Sequence, residues 1–360
     1  MTPLLDLYSD YLLSSFGQTS ATGLSALLDG AIKHDKITQF LSSQAYSSKD
    51  LWLQVKPLVR THESEEACLI FDDTLIEKAY MDENDLICWH WDHCEKRNVK
   101  GINLLTAFYV SSQDAQAEPI RIPISYLLVL KTILFCDIKT RKVKRQSSLT
   151  KNEMMQQMIA QAITNQLPFR YILADTWFAS ADNMRFIHQK KKRFIFDLKD
   201  NRLAALTQQT RSKGQWTRID QLELPDNTPL QVWLKDLEMP VLLFKQVFIN
   251  KDNTTGVRFL VSNQLDLSAD QFVTLYKKRW SVEEYHKSIK QNASIAKSPA
   301  RTVKTQSNHL FAAIFAYVKL EQLKFAHALN HFALKTKIYQ AALKAAFKEL
   351  ASLKQLSNFA

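Results

Sequence analysis

The segment Cys68-Leu69-Ile70-Phe71-Asp72-Asp73-Thr74 decides how the chain is read. Four apolar residues in a row, closed by two carboxylates and a threonine, predict a strand buried on both faces of a sheet. The pattern recurs at Tyr171-Ile172-Leu173-Ala174-Asp175. Charged side chains on buried strands need a partner or a metal. In open α/β sheets, ligands gather beyond the carboxyl ends of the strands. The two strand ends therefore predict a common site. Pleating sends Asp72 and Asp73 to opposite sides, and because both sides are apolar the alternation does not choose between them.

Outward from these strands, residues 85–93, 101–110 and 120–130 are further strand candidates. Thr150-x-x-Glu153 is a capping box that opens a helix through Met154, Met158 and Ile159. A helix over 181–188 and a strand at Phe194-Ile195-Phe196 follow. Strands followed by helix–strand alternation predict an α/β core over 66–197. Residues 198–263 read as four consecutive strands (216–224, 230–237, 241–249 and 257–261) with turn chemistry between them and no helical pattern, hence a β insertion. Residues 1–65 read as short helices, with Leu24, Leu27, Leu28 and Ile32 at helical spacing. This is a small N-terminal domain, either a DNA-reading head or a packing cap. From the cap Ser268-x-x-Gln271 onward the chain is helical. Residues 264–295 return to the core, and 296–360 form a basic C-terminal region.

The chain has 360 residues, 46% of them hydrophobic, and a net charge of +11. Residues 268–360 hold 15 Lys/Arg against 5 Asp/Glu, so that quarter carries +10 of the +11. Such a field concentrates a polyanion at the surface; the plainer reading is a solubilising basic face. Two smaller clusters, Lys139 to Arg145 and Lys190-Lys191-Lys192-Arg193, point to nucleic acid. Four cysteines make no disulfide framework, which suits a reducing, cytoplasmic compartment. No stretch approaches the roughly 18 apolar residues of a membrane span. The N-terminus carries no Lys or Arg before Lys33, unlike a secretory signal. Cys88, His90, His93 and Cys94 invite a zinc reading, but four ligands this close along one strand end wrap poorly around a tetrahedral ion. The six glycines are scattered and form no phosphate-binding loop. A two-carboxylate glycosidase would need neither the basic tail nor the stripe described next.

In the helix after Ser268, Tyr276, Arg279, Glu283 and Lys290 stand at spacings of 3, 4 and 7. At about 100° per residue they share an arc of about 60°, and Lys287 extends it. One stripe thus presents a carboxylate among cations and a phenol. An ordinary i,i+4 pair of Glu283 with Lys287 explains two of these residues but not the rest.

Tyr276-x2-Arg279-x3-Glu283-x6-Lys290 resembles the Y-R-E-K signature of bacterial insertion-sequence transposases with a DDE triad, the cut-and-paste group called insertion sequence family 4. Phe71-Asp72-Asp73-Thr74, Ala174-Asp175-Thr176-Trp177-Phe178 and Trp91-Asp92-His93 with Val99 to Leu105 are similar to further motifs of that group. The resemblance implies a ribonuclease-H-like mixed sheet core, interrupted by the β insertion and flanked by helical terminal regions. It implies that Asp73, Asp175 and Glu283 are catalytic and hold two Mg²⁺ or Mn²⁺ ions, with Asp73 chosen because the family's acid directly precedes a threonine. Tyr276, Arg279, Lys287 and Lys290 would bind the phosphates of double-stranded DNA at transposon ends, in a homodimer that pairs two ends. Trp216 or Trp233 would stack on a flipped base. The alternatives are an inactive DNA-binding derivative and a metal-dependent nuclease on the same fold.

Overall fold

The computed structural model describes residues 3–92, 95–111 and 118–357. The chain opens with helices α1 (Pro3–Ser14), α2 (Ala21–Leu27), α3 (His34–Ser43) and α4 (Ser48–Thr61). Six strands follow: β1 (Cys68–Glu77), β2 (Cys88–Asp92), β3 (Arg97–Ser111), β4 (Ile120–Leu128), β5 (Ile133–Asp137) and β6 (Lys142–Gln146). Helix and strand then alternate through α5 (Lys151–Thr164), β7 (Tyr171–Ala174), α6 (Ala181–Gln189) and β8 (Arg193–Leu198). Next come β9 (Leu203–Ala205), α7 (Gln208–Ser212), β10 (Thr217–Arg218), β11 (Pro229–Leu234), β12 (Val241–Ile249) and β13 (Thr255–Ser262). The chain closes with α8 (Ala269–Lys277), α9 (Trp280–Gln291), α10 (Val303–His327) and α11 (His331–Ser357). Contacts divide it into two compact units. The first gathers Met1–Val55, Leu75–Ile102 and Glu284–Ala360; the second gathers Lys56–Thr74 and Asn103–Glu283.

The second unit is the mixed α/β core. Its sheet runs β10-β9-β11-β12-β13-β8-β7-β1-β3, with β4 on β3. β7 is parallel to both β1 and β8, whereas β8–β13, β12–β13, β11–β12 and β3–β4 are antiparallel. The apolar runs that predict buried strands are buried: Leu69, Ile70, Phe71, Ile172, Leu173, Phe194, Ile195 and Phe196 lose all exposure. This is the α/β class expected from the strand pattern, and it is consistent with the ribonuclease-H-like fold that the resemblance implies. The strands of the insertion do not form a sheet of their own but extend the core sheet beyond β8. Two details of the insertion differ from expectation. The candidate strand 216–224 shrinks to two exposed residues of β10 and a 3-10 turn at Ile219–Gln221. Helix α7, closed by a Thr207–Thr210 capping box, buries no residue. It therefore has no apolar periodicity for a sequence reading to detect. Trp216 and Trp233 are both half-buried.

In the first unit α10 is the buried axis and packs against α1 and α3. Its polar side chains tie the chain's two ends together. The Asn308 amide donates to the carbonyls of Leu41 (2.7 Å) and Gln44 (2.8 Å). His309 lies 3.0 Å from the Tyr8 hydroxyl, and burial pushes its pKa down to about 4. The Lys78 ammonium donates to the carbonyls of Ala296 and Ser298 at 2.9 and 3.0 Å, and burial lowers it to about 8. β2 pairs with β3 antiparallel, and a Cβ on Gly101 would stand 2.4 Å from the Ile76 carbonyl oxygen, so that crossing needs glycine. Cys88 is buried and its thiol donates to the Asn84 carbonyl; His93 and Cys94 lie outside the described residues.

Candidate active site

Three parallel strands lie side by side. Ile70 is level with Leu173, and Leu173 with Ile195. Two residues further along stand Asp72, Asp175 and Asp197, so continuing the register brings three carboxylates level. Asp175 lies just past β7 and Asp197 near the end of β8, but β1 runs on to Glu77, so Asp72 and Asp73 sit mid-strand rather than closing it as the apolar run predicts. Their electrostatics agree. Burial, then Asp175 and Asp73, push the Asp72 carboxyl up to about 7. Burial also raises Asp175, against a hydrogen bond from the Trp177 N–H to its Oδ1 (3.0 Å). Burial raises Asp197 to about 6; Arg258 and Arg279 oppose this and Asp175 adds to it. Negative charge is thus crowded into one low-dielectric part of the sheet.

Asp73 is held differently. Its Oδ1 accepts from the Lys151 ammonium at 2.7 Å and its Oδ2 from the Asn103 amide at 2.6 Å. Its own N–H donates to Asp72 Oδ1 (2.9 Å). Lys151 is the first residue of α5, placed there by the Thr150–Glu153 capping box. It also lies 4.6 Å from the centre of the exposed Trp177 ring.

Tyr276, Arg279 and Glu283 make the cationic side of the site. The Arg279 guanidinium donates to Glu283 Oε1 at 2.5 Å. Burial works against its charge, but Tyr276, Glu283 and Asp72 more than offset this and raise its pKa. Guanidinium carbons of Arg258 and Arg279 stand 5.5 and 5.6 Å from the Tyr276 ring centre. Arg258 also reaches Asp197 at 3.7 Å. Burial raises the Tyr276 phenol above its ordinary value, so it stays a hydroxyl donor at neutral pH.

The single helical stripe needs a correction. Residues 276–283 are not one helix: α8 stops at Lys277 and α9 starts at Trp280. Across the joint the bonds span three residues, Arg279 N–H to Tyr276 O and Val282 N–H to Arg279 O. Each such turn advances about 120° per residue rather than 100°, so the arc arithmetic fails there. The burial follows suit: Tyr276 is buried, Arg279 and Glu283 are half-buried, and Lys287 and Lys290 are exposed. The Lys287 amine lies 5.1 Å from the Phe332 ring centre.

Asp72, Asp73 and Asp175 are therefore brought into one electrostatic group, and Arg279 links Glu283 to it. Among the described residues no three His, Cys, Asp or Glu side chains form a metal-ligand group; Glu283 is turned to Arg279, and Asp73 to Lys151 and Asn103. In donor chemistry the site fits a hard divalent cation, since the candidate ligands are carboxylate oxygens and the negative charge crowded around Asp72 is what such an ion neutralises. Asp197, Arg258 and Lys151 were not anticipated as site residues. Asp197 had a signal, because Phe194-Ile195-Phe196-Asp197 repeats the apolar-strand-then-aspartate pattern. Lys151 and Arg258 come to the site only through packing.

No helix among the described residues is long and apolar enough to cross a membrane. No curated protein matches the chain. A family model described as transposase DDE domain matches residues 130–319, over half of the chain, and includes Asp175, Arg279 and Glu283. Domains of this family generally work with divalent metals. With that match lying over a core whose adjacent parallel strands carry clustered aspartates, the chain belongs to the DDE transposases, enzymes that cleave and transfer strands of DNA.

Proposed function

We propose that the chain is a cut-and-paste transposase of the insertion sequence family 4 type. It binds the terminal inverted repeats of its element as a dimer that pairs two ends. It nicks to free a 3′-hydroxyl, excises the element and joins it to target DNA. The observation that carries this reading is the row of aspartates level across adjacent parallel strands, with the Tyr276–Arg279–Glu283 group linked to it through Arg279.

Asp73, Asp175 and Glu283 hold two Mg²⁺ or Mn²⁺ ions. When bound, these supply the Lewis acidity that phosphoryl transfer to water or to a DNA hydroxyl needs. The protein's own groups do the positioning. Asn103 and Lys151 orient Asp73, and the Trp177 N–H orients Asp175. Arg279 can grip a backbone phosphate bidentately, with the Tyr276 hydroxyl as a further donor. Lys287 and Lys290, exposed farther along α9, contact backbone phosphates of the transposon end. The level register of Asp72 with Asp175 favours a second assignment, in which Asp72 rather than Asp73 is the first metal ligand. Paired variants decide it: Asp73→Ala abolishes metal-dependent cleavage while Asp72→Ala retains it, and the reverse result transfers the role to Asp72.

The reaction itself is tested with a labelled transposon-end duplex, target DNA and Mg²⁺. Joined product supports the transposase. Cutting without joining makes the chain a nuclease, and binding without cutting makes it an inactive derivative.

A further inference from the structure

The β5–β6 hairpin is a two-stranded sheet of its own. Ile133 pairs with Gln146 and Asp137 with Lys142, and nearly every residue from 132 to 146 is exposed. A lone two-stranded ribbon is marginal in water, yet this one exposes apolar side chains on both faces. Leu134 is 59%, Val143 71% and Ile138 93% exposed. The tip is nevertheless well formed. Asp137 accepts the Thr140 N–H on its carboxylate and the Arg141 N–H on its carbonyl, both at 2.8 Å. Arg141 takes the left-handed conformation (φ 52°) that closes the turn.

Charge says what such a ribbon meets. Between 131 and 146 stand six cations (Lys131, Lys139, Arg141, Lys142, Lys144, Arg145) and one acid, Asp137, which Lys144 already neutralises at 2.6 Å. Lys139, Arg141 and Lys142 are exposed at and beside the tip. A second copy of this chain, itself at +11, offers this cationic ribbon no complementary net charge. The DNA on which the family acts would be attracted.

We propose that the β5–β6 hairpin is a DNA-binding ribbon that enters the major groove of the duplex. Lys139, Arg141 and Lys142 contact backbone phosphates, and Ile138 meets base edges at the groove floor. The major groove, about 12 Å wide, admits a two-stranded ribbon. The inference takes its substrate from the transposase reading and adds a contact surface outside the catalytic group.

The test is anisotropy of full-length protein with a fluorescent random-sequence duplex across a potassium chloride series. The triple variant Lys139→Ala/Arg141→Ala/Lys142→Ala leaves the Lys144–Asp137 pair in place. It is expected to reduce the slope of log affinity against log salt by about 3 and to weaken binding a few hundredfold at 0.1 M salt. Lys213→Ala/Lys251→Ala, which removes exposed charge elsewhere, is expected to keep the wild-type slope. If the triple variant misfolds, as read by its thermal melt, Lys139→Ala alone is expected to reduce the slope by about 0.9. An unchanged slope in a folded variant overturns the ribbon. So does unchanged DNA affinity together with an altered oligomeric state, which would make the hairpin a protein interface. A wild-type chain that binds no duplex at any salt overturns instead the transposase reading on which the ribbon rests.

Discussion

The carboxylates level across β1, β7 and β8 and the cations of the β5–β6 hairpin belong to one structural unit, and the protein treats them in opposite ways. The acids are crowded and largely removed from water, so nearly every one has a specific partner: Lys151 and Asn103 on Asp73, Trp177 on Asp175, Arg258 on Asp197. The cations at the hairpin tip project into solvent. Buried charge costs several kcal/mol unless geometry compensates it, and that geometry suits chemistry. Exposed charge costs little and acts at range, which suits capture of a polyanion. One region should govern rate, the other affinity.

The largest expected effect tests the first half of that contrast. Asp175→Asn should slow Mg²⁺-dependent cleavage of labelled duplex by about a thousandfold or more, since it removes several kcal/mol of charge stabilisation. Its DNA affinity by anisotropy should stay level or tighten, because a negative charge is lost. Cleavage at wild-type rate would remove Asp175 from the active site.

The hairpin triple variant should show the opposite split, raising the DNA concentration needed for half-maximal cleavage a few hundredfold while the maximal rate falls far less than in Asp175→Asn. A collapse of both by the same factor would merge the two regions into one.

A third expectation concerns pH. Asp197, raised to about 6 in the folded protein, keeps its proton where the unfolded chain has released it. The native state therefore binds more protons between about pH 4 and 6, and stability falls as pH rises through that window, by roughly 3 kcal/mol at most. Asp72 acts in the same direction up to about pH 7. In thermal melts without divalent metal, Asp197→Asn should flatten the decline; an unchanged decline would mean that Asp197 carries none of it.

The smallest effect contrasts two basic clusters that look alike as sequence. Lys192 is partly buried, with its ammonium on the Phe169 carbonyl at 2.6 Å and over the Phe169 ring. Arg193 donates to the Asn263 carbonyl. Lys192→Ala should cost about 1–2 kcal/mol of stability in denaturant melts and leave the salt slope of DNA binding unchanged. A changed slope would return this cluster to the DNA-binding surface.

Much of the site was legible because burial on both faces writes itself as unbroken apolar runs, and an acid ending such a run stands out. β1, β7 and the α5 and α8 caps follow from that logic and from local capping chemistry. Asp197 was legible too, as the third instance of the same pattern. The β5–β6 hairpin was visible only as a run of cations, since its apolar residues lie on both faces and leave no clean alternation. The joint between α8 and α9 left no mark, because a shift from four-residue to three-residue hydrogen bonds changes no residue type.

From the sequence alone came the α/β class, the aspartates that follow apolar strand runs, the helix bearing Glu283, and the uneven positive charge. Each is a local property, set by the side chains of a few consecutive residues. Only the tertiary structure levelled Asp72 with Asp175 and Asp197, brought Lys151 to Asp73 and Arg258 to Tyr276, and left the basic hairpin outside the core sheet. Strand register and side-chain pairing between segments dozens of residues apart depend on how whole elements pack, and no local pattern encodes that.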